Sequence, residues 1–462
     1  MSTLKSSRVE EEKHLSHKSD ISVIDLFSGC GGMALGFGLQ NFHIAESVEL
    51  DPAACRTANY NLHIKSSGNS AACNLDVKNY SFSVPEKPGS RVITIGGPPC
   101  QAYSNIGKAK IRSLGEDRFG LNDSRAFLYE EFLRVALDAS SDFIVMENVP
   151  EAVNFFGKNL GEEVCAELKK RGYRAFWTIL NAADYGVPQI RERLFVFAAK
   201  EEYGEPWLPE PVCQRPDRGF RTPNEKRFKT FLNYSFFKEP KQPSEAAPLW
   251  VTAGEAVSDL PSLFKSADSN YHYYKSNVRL PYESSPLNYF QNKMRENTRG
   301  AAYVSGNSFR YTARDFRIFE EMGWGDDFRQ AFDIADNLFR KEAARKNLTK
   351  KNNPEEYNLL RKKFVPPYDR EKFHSKWKKL HPDKPSHTLV AHLGTDTYSH
   401  IHPYEPRGIS IREAARLQSF PDDFMFHGSM GDAYRQIGNA VPPLLSEAIA
   451  KAVKRSMKME EG

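Results

Sequence analysis

The chain has 462 residues, with 64 lysines and arginines against 59 aspartates and glutamates, so its formal net charge is +5. At about 150 residues per domain, this length allows two or three domains with a substantial core. Hydrophobic residues make up 40% and charged residues 27%, which excludes a wholly disordered, collagen-like or small disulfide-rich chain. No apolar run approaches the ~20 residues that span a bilayer, so no membrane segment is expected.

The amino terminus and the cysteines indicate where the protein works. Residues 1–19 are polar and lack the apolar core of a secretory signal, which predicts a flexible, solvated tail. The chain has six cysteines, no two of which form a CxxC pair. Without an export signal these should be reduced thiols, which disfavours a zinc ribbon. We therefore expect a cytoplasmic protein.

From Ile21 to about Lys200, short apolar runs alternate with longer amphipathic stretches. The predicted strands are Ser22–Leu26, His43–Glu49, Val92–Ile95, Phe143–Met146, Arg174–Leu180 and Leu194–Ala199. The predicted helices between them are Pro52–Asn61, Arg125–Ala139 and Glu162–Arg171. This alternation predicts an α/β fold, in which a mainly parallel sheet carries helices on both faces. Ligands of such sheets bind at the carboxyl ends of the strands.

The pattern changes after about Glu201. The following stretch is rich in Pro, Asn, Lys, Arg and aromatic residues and shows little periodicity, which predicts a smaller, irregular second domain. Helical spacing returns in Ile411–Gln418 and Leu444–Met457. We therefore divide the chain into a tail (1–19), a first domain (20–200), the second domain (201–384) and a return to the first domain (385–462).

A glycine-rich turn follows the first predicted strand, in Asp25–Gly32 (DLFSGCGG). Glycines let the backbone pass close to a ligand, although a tight turn without a ligand has the same pattern. The second strand ends at Glu49, where α/β nucleotide sites place an acceptor for ribose hydroxyls. Asp51, just beyond it, is explained nearly as well as the cap of the next helix.

Three further groups lie at predicted strand ends. Cys100 follows a rigid Gly-Gly-Pro-Pro loop, although a lone cysteine is usually a buried apolar side chain. Glu147 ends a strand, and Arg191 and Arg193 should share a face of another, where unpaired arginines are costly unless they meet an anion. Each group alone is compatible with a cap or a salt bridge. Together, the thiol, the carboxylate and the arginine pair indicate an active site.

In their order along the chain, these motifs resemble the C5-specific DNA cytosine methyltransferases of bacterial restriction-modification systems. The resemblance extends from Ile21 to the final helix. It rests on DLFSGCGG, Glu49, Asp76 in NLDV, GGPPCQ, ENVP, QIRER, REAARLQSFPDDF (Arg412–Phe424) and QIGNAVPP (Gln436–Pro443). The loop after Cys100 departs from the family pattern, with Ala102-Tyr103-Ser104 where Gly-Phe-Ser is commoner, a conservative change.

The resemblance implies a Rossmann-like S-adenosylmethionine-dependent methyltransferase fold with a smaller target-recognition domain. It also implies a sequence-specific DNA (cytosine-5-)-methyltransferase that uses S-adenosyl-L-methionine. Phe27 would pack on the adenine of this donor, Glu49 would accept from its ribose, and Asp76 would meet the adenine amino group. Asn439 and Val441 would close the site. The other expected donor contacts are Ser28, Gly29, Gly31, Gly32, Leu50, Val77 and Pro98.

The expected chemistry starts with Cys100 as the nucleophile. A thiolate that adds to C6 of cytosine makes C5 nucleophilic enough to attack a methyl sulfonium. A free thiol is mostly protonated at neutral pH, so a nearby cation such as Arg191 or Arg193 should favour the thiolate. A protonated Glu147 at N3 would relieve the negative charge on the ring, and Arg193 would orient the base or the carboxylate. No residue is assigned to the loss of the C5 proton.

Cytosine C5 is inaccessible in stacked duplex DNA, so the base must be flipped out. The loop from Tyr103 to about Asn122 is glycine-punctuated and basic. We interpret it as a lid over the flipped base, although a merely flexible surface loop has the same composition. The expected DNA contacts around this loop are Gln101, Ser104 and Arg125.

Basic residues exceed acidic ones between Arg340 and Lys379, which suits either phosphate contact or a solvated helix face. Lys378 and Lys379 are the predicted phosphate contacts. Four histidines follow, but we expect no metal site because they lie where the family joins its recognition domain to the core. They are His387, His392, His400 and His402.

Double-stranded DNA is the expected substrate of a monomeric, nucleoid-associated enzyme without a membrane partner, and a cognate restriction endonuclease would act independently. Two alternatives remain open. An RNA cytosine-C5 methyltransferase would share the fold, although the long recognition region favours DNA. A catalytically inactive DNA-binding relative is disfavoured by intact Cys100, Glu147 and Arg193. Amino-methylating enzymes need Asn or Asp before Pro-Pro and an aromatic residue after it, and here Gly97 and Cys100 occupy those positions.

Overall fold

The computed structural model describes most of the chain after Asp20. The described ranges are 21–65, 71–83, 89–99, 128–154, 157–216, 222, 227–267, 270–273, 279–298, 300–310, 312, 314–371, 376–394 and 398–459. The predicted tail, the predicted lid and the residues Cys100, Gln101, Ser104 and Arg125 lie outside them. Within these ranges, no helix is long and apolar enough to cross a membrane.

A seven-stranded sheet forms the centre of the molecule. Its strands are β1 (Ile21–Leu26), β2 (His43–Val48), β3 (Ala71–Cys73), β4 (Arg91–Gly96), β5 (Phe143–Asn148), β6 (Tyr173–Asn181) and β7 (Glu192–Lys200). They lie in the order β3-β2-β1-β4-β5-β7-β6. Strands β1 to β5 pair in parallel, whereas β7 runs antiparallel to both β5 and β6. The prediction of a mainly parallel α/β sheet is confirmed.

Helices cover both faces of the sheet and bury two apolar layers against it. The helices of this part are α1 (Gly32–Leu39), α2 (Pro52–Ala58), α3 (Leu128–Asp138) and α4 (Leu160–Lys170). Phe132 and Leu168 belong to one buried layer, and Phe37 and Ile449 belong to the other. Because Ile449 lies near the end of the chain, the first domain is completed by carboxyl-terminal residues.

Two sequence-based assignments in this part differ from the structure. The short strand β3 was not predicted, because its three residues carry no alternating pattern. The segment from Gln189 was interpreted as strand, but β7 begins only at Glu192. Arg191 therefore precedes the strand, and the expectation that it shares a strand face with Arg193 is wrong.

The part of the chain after Tyr203 is built from short elements and one longer helical pair. Its helices are α5 (Phe228–Phe231), α6 (Ala253–Val257), α7 (Tyr289–Arg295), α8 (Phe316–Glu321), α9 (Phe328–Arg345) and α10 (Pro354–Phe364). Two small hairpins pair β8 (Phe264–Ala267) with β9 (Asn270–Tyr273), and β10 (Leu280–Pro281) with β11 (Tyr303–Val304). Helices α9 and α10 pack on each other around Phe339, Ala343, Leu360 and Val365.

The last helices are α11 (Ile411–Leu417), α12 (Met430–Asn439) and α13 (Pro443–Ser456). The bounds of α11 and α13 are close to the predicted ones, whereas α12 was not predicted. Short 3-10 turns occur at Val77–Asn79, Pro150–Asn154, Ala182–Tyr185, Glu201–Tyr203, Glu296–Thr298 and Ala391–Gly394, and a π-helical turn at Asn59–Ile64. A buried ion network joins α11 to the second part. The Arg416 guanidinium lies 3.0 Å from an Asp259 oxygen and 2.6 Å from an Asp422 oxygen.

Candidate active site

A pocket of about 730 Å³ opens at the carboxyl edge of the sheet, where β1, β2, β4 and β5 end. Parallel strands place their carboxyl ends at one edge, so residues far apart in sequence meet there. The predicted site residues that line the pocket are Phe27, Ser28, Gly29, Glu49, Leu50, Asp76, Val77, Pro98, Glu147, Arg191, Arg193, Asn439 and Val441.

Gly31 and Gly32 are not on the pocket wall; they lie behind it. A Cβ on Gly31 would lie 2.4 Å from a Leu62 side-chain carbon, and one on Gly32 would lie 2.4 Å from the carbonyl oxygen of Val441. Gly31 also has a φ of +87°, which favours glycine. These two glycines allow neighbouring segments to approach the turn, which is how they contribute to the site.

Glu49 holds the glycine turn against the end of β2. One carboxylate oxygen accepts from the backbone N–H of Gly29 at 2.8 Å, and the other from that of Asp51 at 2.7 Å. Burial raises the pKa of Glu49, and these two backbone donors partly offset the rise. Asp51 caps α2 by accepting from the N–H of Ala53 at 2.8 Å, as its alternative interpretation predicted.

Apolar side chains form the outer wall of this half of the pocket. Leu50 is 66% exposed and Leu75 is 45% exposed, although both are large aliphatic residues. Phe27 and Val77 line the same pocket, and Phe27 has a φ of +55° that brings it out of the strand direction. Exposed apolar side chains in a concave site are typical of a surface that packs against the flat ring of a ligand.

Asp25, the first residue of the DLFSGCGG motif, also lines the pocket, although the sequence predicts no site role for it. It is 1% exposed, and neither carboxylate oxygen makes a hydrogen bond of good geometry with any described residue. Burial raises the pKa of Asp25 well above its usual range; the facing backbone N–H of Ala34 offsets part of this rise, and the negative charge of Glu49 adds to it. A buried carboxylate without a partner fits a cationic ligand.

The other half of the pocket centres on Glu147, at the end of β5. Its carboxylate lies 3.0 Å from the Arg193 guanidinium, and both side chains are largely buried. Burial raises the pKa of Glu147, and the charges of Arg193 and Arg191 only partly oppose that rise. A Cβ on Gly97 would lie 2.8 Å from the other oxygen of this carboxylate. Glu147 is therefore held between an arginine and a glycine backbone.

Among the described residues, the hydrogen-bond acceptors of Arg191 are backbone carbonyls rather than the predicted anion. Its expected effect on the Cys100 thiol stays a prediction, because Cys100 lies outside the described residues. Its guanidinium donates to the backbone carbonyls of Leu389 at 2.9 Å, Gly438 at 3.1 Å and Ala440 at 3.1 Å. These carbonyls accept from both terminal nitrogens of the guanidinium, whereas its buried Nε–H has no hydrogen-bond partner among the described residues. Arg191 thus connects the pocket to the carboxyl-terminal segments, and Arg193 alone pairs with Glu147.

Lys379 is a wrong prediction for a phosphate contact. Its side chain is 8% exposed, and its ammonium donates to the carbonyls of Phe319 at 3.0 Å and Met322 at 2.8 Å. The neighbouring Lys378 is half-buried. The positive charge of Lys379 therefore takes part in hydrogen bonds inside the second part of the chain.

Three of the four carboxyl-terminal histidines have structural contacts in the described conformation, whereas His392 is exposed. The rings of His387 and His400 stack with centroids 3.9 Å apart, and burial lowers the pKa of His400 to about 4. His402 accepts from the backbone N–H of Glu405 at 3.0 Å. Among the residues that the structure describes, no group of three or more His, Cys, Asp or Glu could hold a metal ion.

Several other wall residues were not predicted from the sequence. Asn148 follows Glu147 and donates to the carbonyl of Pro98 at 3.4 Å, which ties the ends of β4 and β5 together. Met33, Val48, Leu75, Lys78 and Leu128 also line the pocket. Val48 and Asn148 are the last residues of their strands, and Leu75 and Lys78 follow β3, so position at a strand end is the signal that these four share. Met33 and Leu128 lie in helices and carry no such signal.

The sequence of the chain is similar to a known protein family and to named members of it. Residues 21–455 match the model of the C-5 cytosine-specific DNA methylase family. The chain belongs to this family. A protein of Oceanobacillus iheyensis, provisionally named type II methyltransferase M.OihORF3336P, is 51% identical over 442 residues, covering 94% of this chain and 96% of that protein. The type II methyltransferase M.AgeI of Thalassovita gelatinovora is 29% identical over 463 residues, covering 94% and 99%.

A solved structure supports the fold of this cytosine-specific methylase. A crystal structure described as a provisional DNA modification methyltransferase, encoded within an Escherichia coli prophage, superposes with a TM-score of 0.61 at 23% identity. The superposition covers 95% of this chain and 99% of that one. The family and the fold together establish a DNA cytosine-5 methyltransferase, which needs a methyl donor.

The contact between Gly97 and Glu147 predicts that Gly97→Ala slows methyl transfer. The new Cβ displaces the carboxylate, and a misplacement of about 1 Å in an active site can cost on the order of 100-fold in rate. Methyl transfer to DNA, followed with labelled donor, should therefore fall by about 10- to 100-fold. Gly38→Ala is the matched control, because its Cβ would meet nothing within 4 Å. Equal rates for the two variants would contradict the role given to this contact.

Proposed function

We propose that the protein transfers the methyl group of S-adenosyl-L-methionine to C5 of a specific cytosine in double-stranded DNA, through a covalent bond between Cys100 and C6 of a flipped-out base. The main support for this proposal is the set of residues that meet in one pocket. A single pocket contains the buried Glu147–Arg193 pair, a donor-sized apolar wall and Pro99, the residue directly before Cys100.

The residues present fit the proposed donor. S-adenosyl-L-methionine supplies a methyl group on a cationic sulfur, which makes that methyl electrophilic. Phe27, Leu50, Leu75 and Val77 offer apolar surface for an adenine ring. The orphaned carboxylate of Asp25 offers a partner for positive charge. Glu49 already accepts two backbone hydrogen bonds, and each oxygen keeps a lone pair for a ribose hydroxyl.

Glu147 and Arg193 would act together on the cytosine ring, Glu147 as the proton donor and Arg193 as the group that holds it. Addition of the Cys100 thiolate to C6 pushes an electron pair towards N3, which takes a proton from the Glu147 carboxyl. The raised pKa of Glu147 favours the protonated carboxyl that this step needs. Arg193 holds that carboxyl in place and then stabilises its carboxylate. After methyl transfer, loss of the C5 proton and release of Cys100 restore the aromatic ring.

A role in a restriction-modification system is supported by the relatives, which are named type II methyltransferases. In such a system, methylation protects the host's own target sites, and a separate endonuclease cleaves unmodified ones. We propose that this protein acts as the modification enzyme, as a monomer on DNA.

A mechanism-based trap tests the function most directly. Duplex DNA containing 5-fluorocytosine should form a covalent adduct with the wild-type protein and S-adenosyl-L-methionine, because fluorine blocks the final elimination. Cys100→Ala should form no adduct on a denaturing gel. Glu147→Gln should slow adduct formation by about 100-fold or more, since it removes the N3 proton donor. Donor binding without adduct in the wild type would point to RNA or to an inactive relative.

Asp25→Asn should weaken donor binding and stabilise the free protein. The raised pKa of Asp25 means that its deprotonation destabilises the fold, and stability is lost as pH rises through the folded-state pKa. Removing this charge should raise Tm at neutral pH by roughly 1–3 °C and flatten its pH dependence. The Kd for the donor, measured by calorimetry, should rise by about 10- to 100-fold. Asp138→Asn, at a side chain that is 63% exposed, is the control, and equal behaviour of the two would contradict the ligand role.

The helical hairpin of α9 and α10 is the strongest candidate for contact with DNA phosphates in the described second part. Residues 328–364 contain ten basic and five acidic residues, so they carry as much net positive charge as the whole chain. Several exposed cations here make no ion pair within the described residues, namely Lys341, Lys350, Lys351, Arg361, Lys362 and Lys363. Unpaired, exposed cations are free to displace counterions from DNA.

Replacing Lys350 and Lys351 with Gln should weaken DNA binding and reduce its salt dependence. Each phosphate contact contributes about 0.9 to the slope of log K against log salt, so the slope should fall by about 1–2. Binding titrations at several salt concentrations measure this slope. The control replaces Lys158 and Lys170 with Gln, which are 64% and 73% exposed on the first domain. A slope unchanged from this control would mean that the hairpin lysines are only solvated.

A further inference from the structure

Three buried polar side chains lie at the closing end of the proposed donor pocket, and Arg191 also lines its wall. Hydrogen bonds connect them either directly or through the backbone of Leu389 and Ala440. They are Gln189, Arg191 and Gln418, exposed by 0%, 1% and 0% respectively. We call them the polar junction. Gln189 and Arg191 precede β7, and Gln418 follows α11.

On one side, the polar junction holds the segment that closes the pocket. The carbonyl of Ala440 accepts from the Gln418 amide at 2.6 Å and from the Arg191 guanidinium at 3.1 Å. Ala440 lies between Asn439 and Val441, and all three residues line the pocket. A carbonyl held by two buried donors fixes the backbone on either side of it, so the junction sets where Asn439 and Val441 lie.

On the other side, the polar junction holds Leu389, in the segment by which the chain returns from the second part. The Leu389 N–H donates to the Gln189 side-chain oxygen at 2.8 Å, and its carbonyl accepts from Arg191 at 2.9 Å. Gln189 in turn donates to the side-chain oxygen of Gln418 at 2.5 Å. The N–H of Leu389 is thus linked to the carbonyl of Ala440 through Gln189 and Gln418, and the carbonyl of Leu389 is linked to it through Arg191.

Direct packing reinforces this link. A Cβ on Gly438 would lie 2.4 Å from the carbonyl carbon of Val390 and 2.5 Å from the backbone nitrogen of Ala391. The end of α12 therefore rests on the returning segment, backbone against backbone. A shift of residues 389–391 cannot occur without moving Gly438, and with it Asn439.

We infer that Gln189, Arg191 and Gln418 are positioning residues, which hold the Asn439–Val441 segment for donor binding and couple it to the returning segment of the second part. This inference rests on the proposed function, because it requires the pocket to bind the methyl donor. DNA that engages the second part then strengthens donor binding, and the donor strengthens DNA binding by the same factor.

Gln418→Met tests the inference with little change of side-chain size. It removes both hydrogen bonds of the amide but leaves Arg191 on the Ala440 carbonyl. Loss of one such bond should raise the donor Kd about tenfold. KM for the donor should rise similarly, with kcat at saturating donor nearly unchanged. The ratio of donor Kd without and with DNA should fall towards one.

Gln291→Met is the matched control, because it removes an equally buried amide far from the pocket. Gln291 is 0% exposed, donates to the carbonyl of Glu255 at 2.7 Å and accepts from the N–H of Leu287 at 2.7 Å. It should lose comparable stability but keep the wild-type donor Kd and coupling ratio. Equal donor Kd and coupling in the two variants would overturn the inference.

Gln189→Met serves as the second variant, and it separates the two roles. It breaks the link to the Leu389 N–H but leaves Arg191 on the Leu389 carbonyl and both donors on the Ala440 carbonyl. Coupling should therefore fall more than donor affinity without DNA. If Gln418→Met does not fold, coupling equal to wild type in Gln189→Met overturns the inference. A wild-type protein that binds no donor refutes the proposed function instead, since that result does not depend on the junction.

Discussion

The antiparallel insertion of β7 beside β5 is the constraint on which the catalytic half of the site depends. The pairing places Glu147 opposite Phe195, so the beginning of β7 lies at the edge where β5 ends. Arg193 can therefore reach a carboxylate at the end of β5 from the start of its own strand. A parallel strand at this place would begin at the opposite edge of the sheet. The buried Glu147 would then lack its cation, and an unpaired buried charge is costly.

Much of the fold and the pocket could be predicted because both depend on local pattern. Strand ends were recognisable from apolar runs that stop at polar residues, and parallel strands bring those ends together. Glu49 and Glu147 were found in this way. Asp25 was harder to assign, because an aspartate within a strand next to a glycine turn has no distinctive signal in the sequence. Its importance follows from burial without a partner, which only the structure reveals.

The wrong predictions share a different cause. Arg191 was assigned to an anion, but its acceptors are the carbonyls of Leu389, Gly438 and Ala440, which are 198 to 249 residues away in sequence. The sequence predicts that Lys379 contacts DNA, but its ammonium donates to two backbone carbonyls at the end of α8, about 60 residues earlier. A sequence pattern identifies a charged residue, whereas its partner depends on contacts between distant segments. Burial of such residues cannot be deduced from composition.

The two halves of the proposed donor pocket are held by different kinds of contact. The glycine turn is held locally, through Glu49 to Gly29 and Asp51. The closing segment depends on long-range packing, since Gly32 abuts the carbonyl of Val441 and Gly36 abuts the backbone of Glu447. A donor that touches both halves therefore stabilises the carboxyl-terminal segment against opening, so donor binding and the closure of this end of the chain reinforce one another.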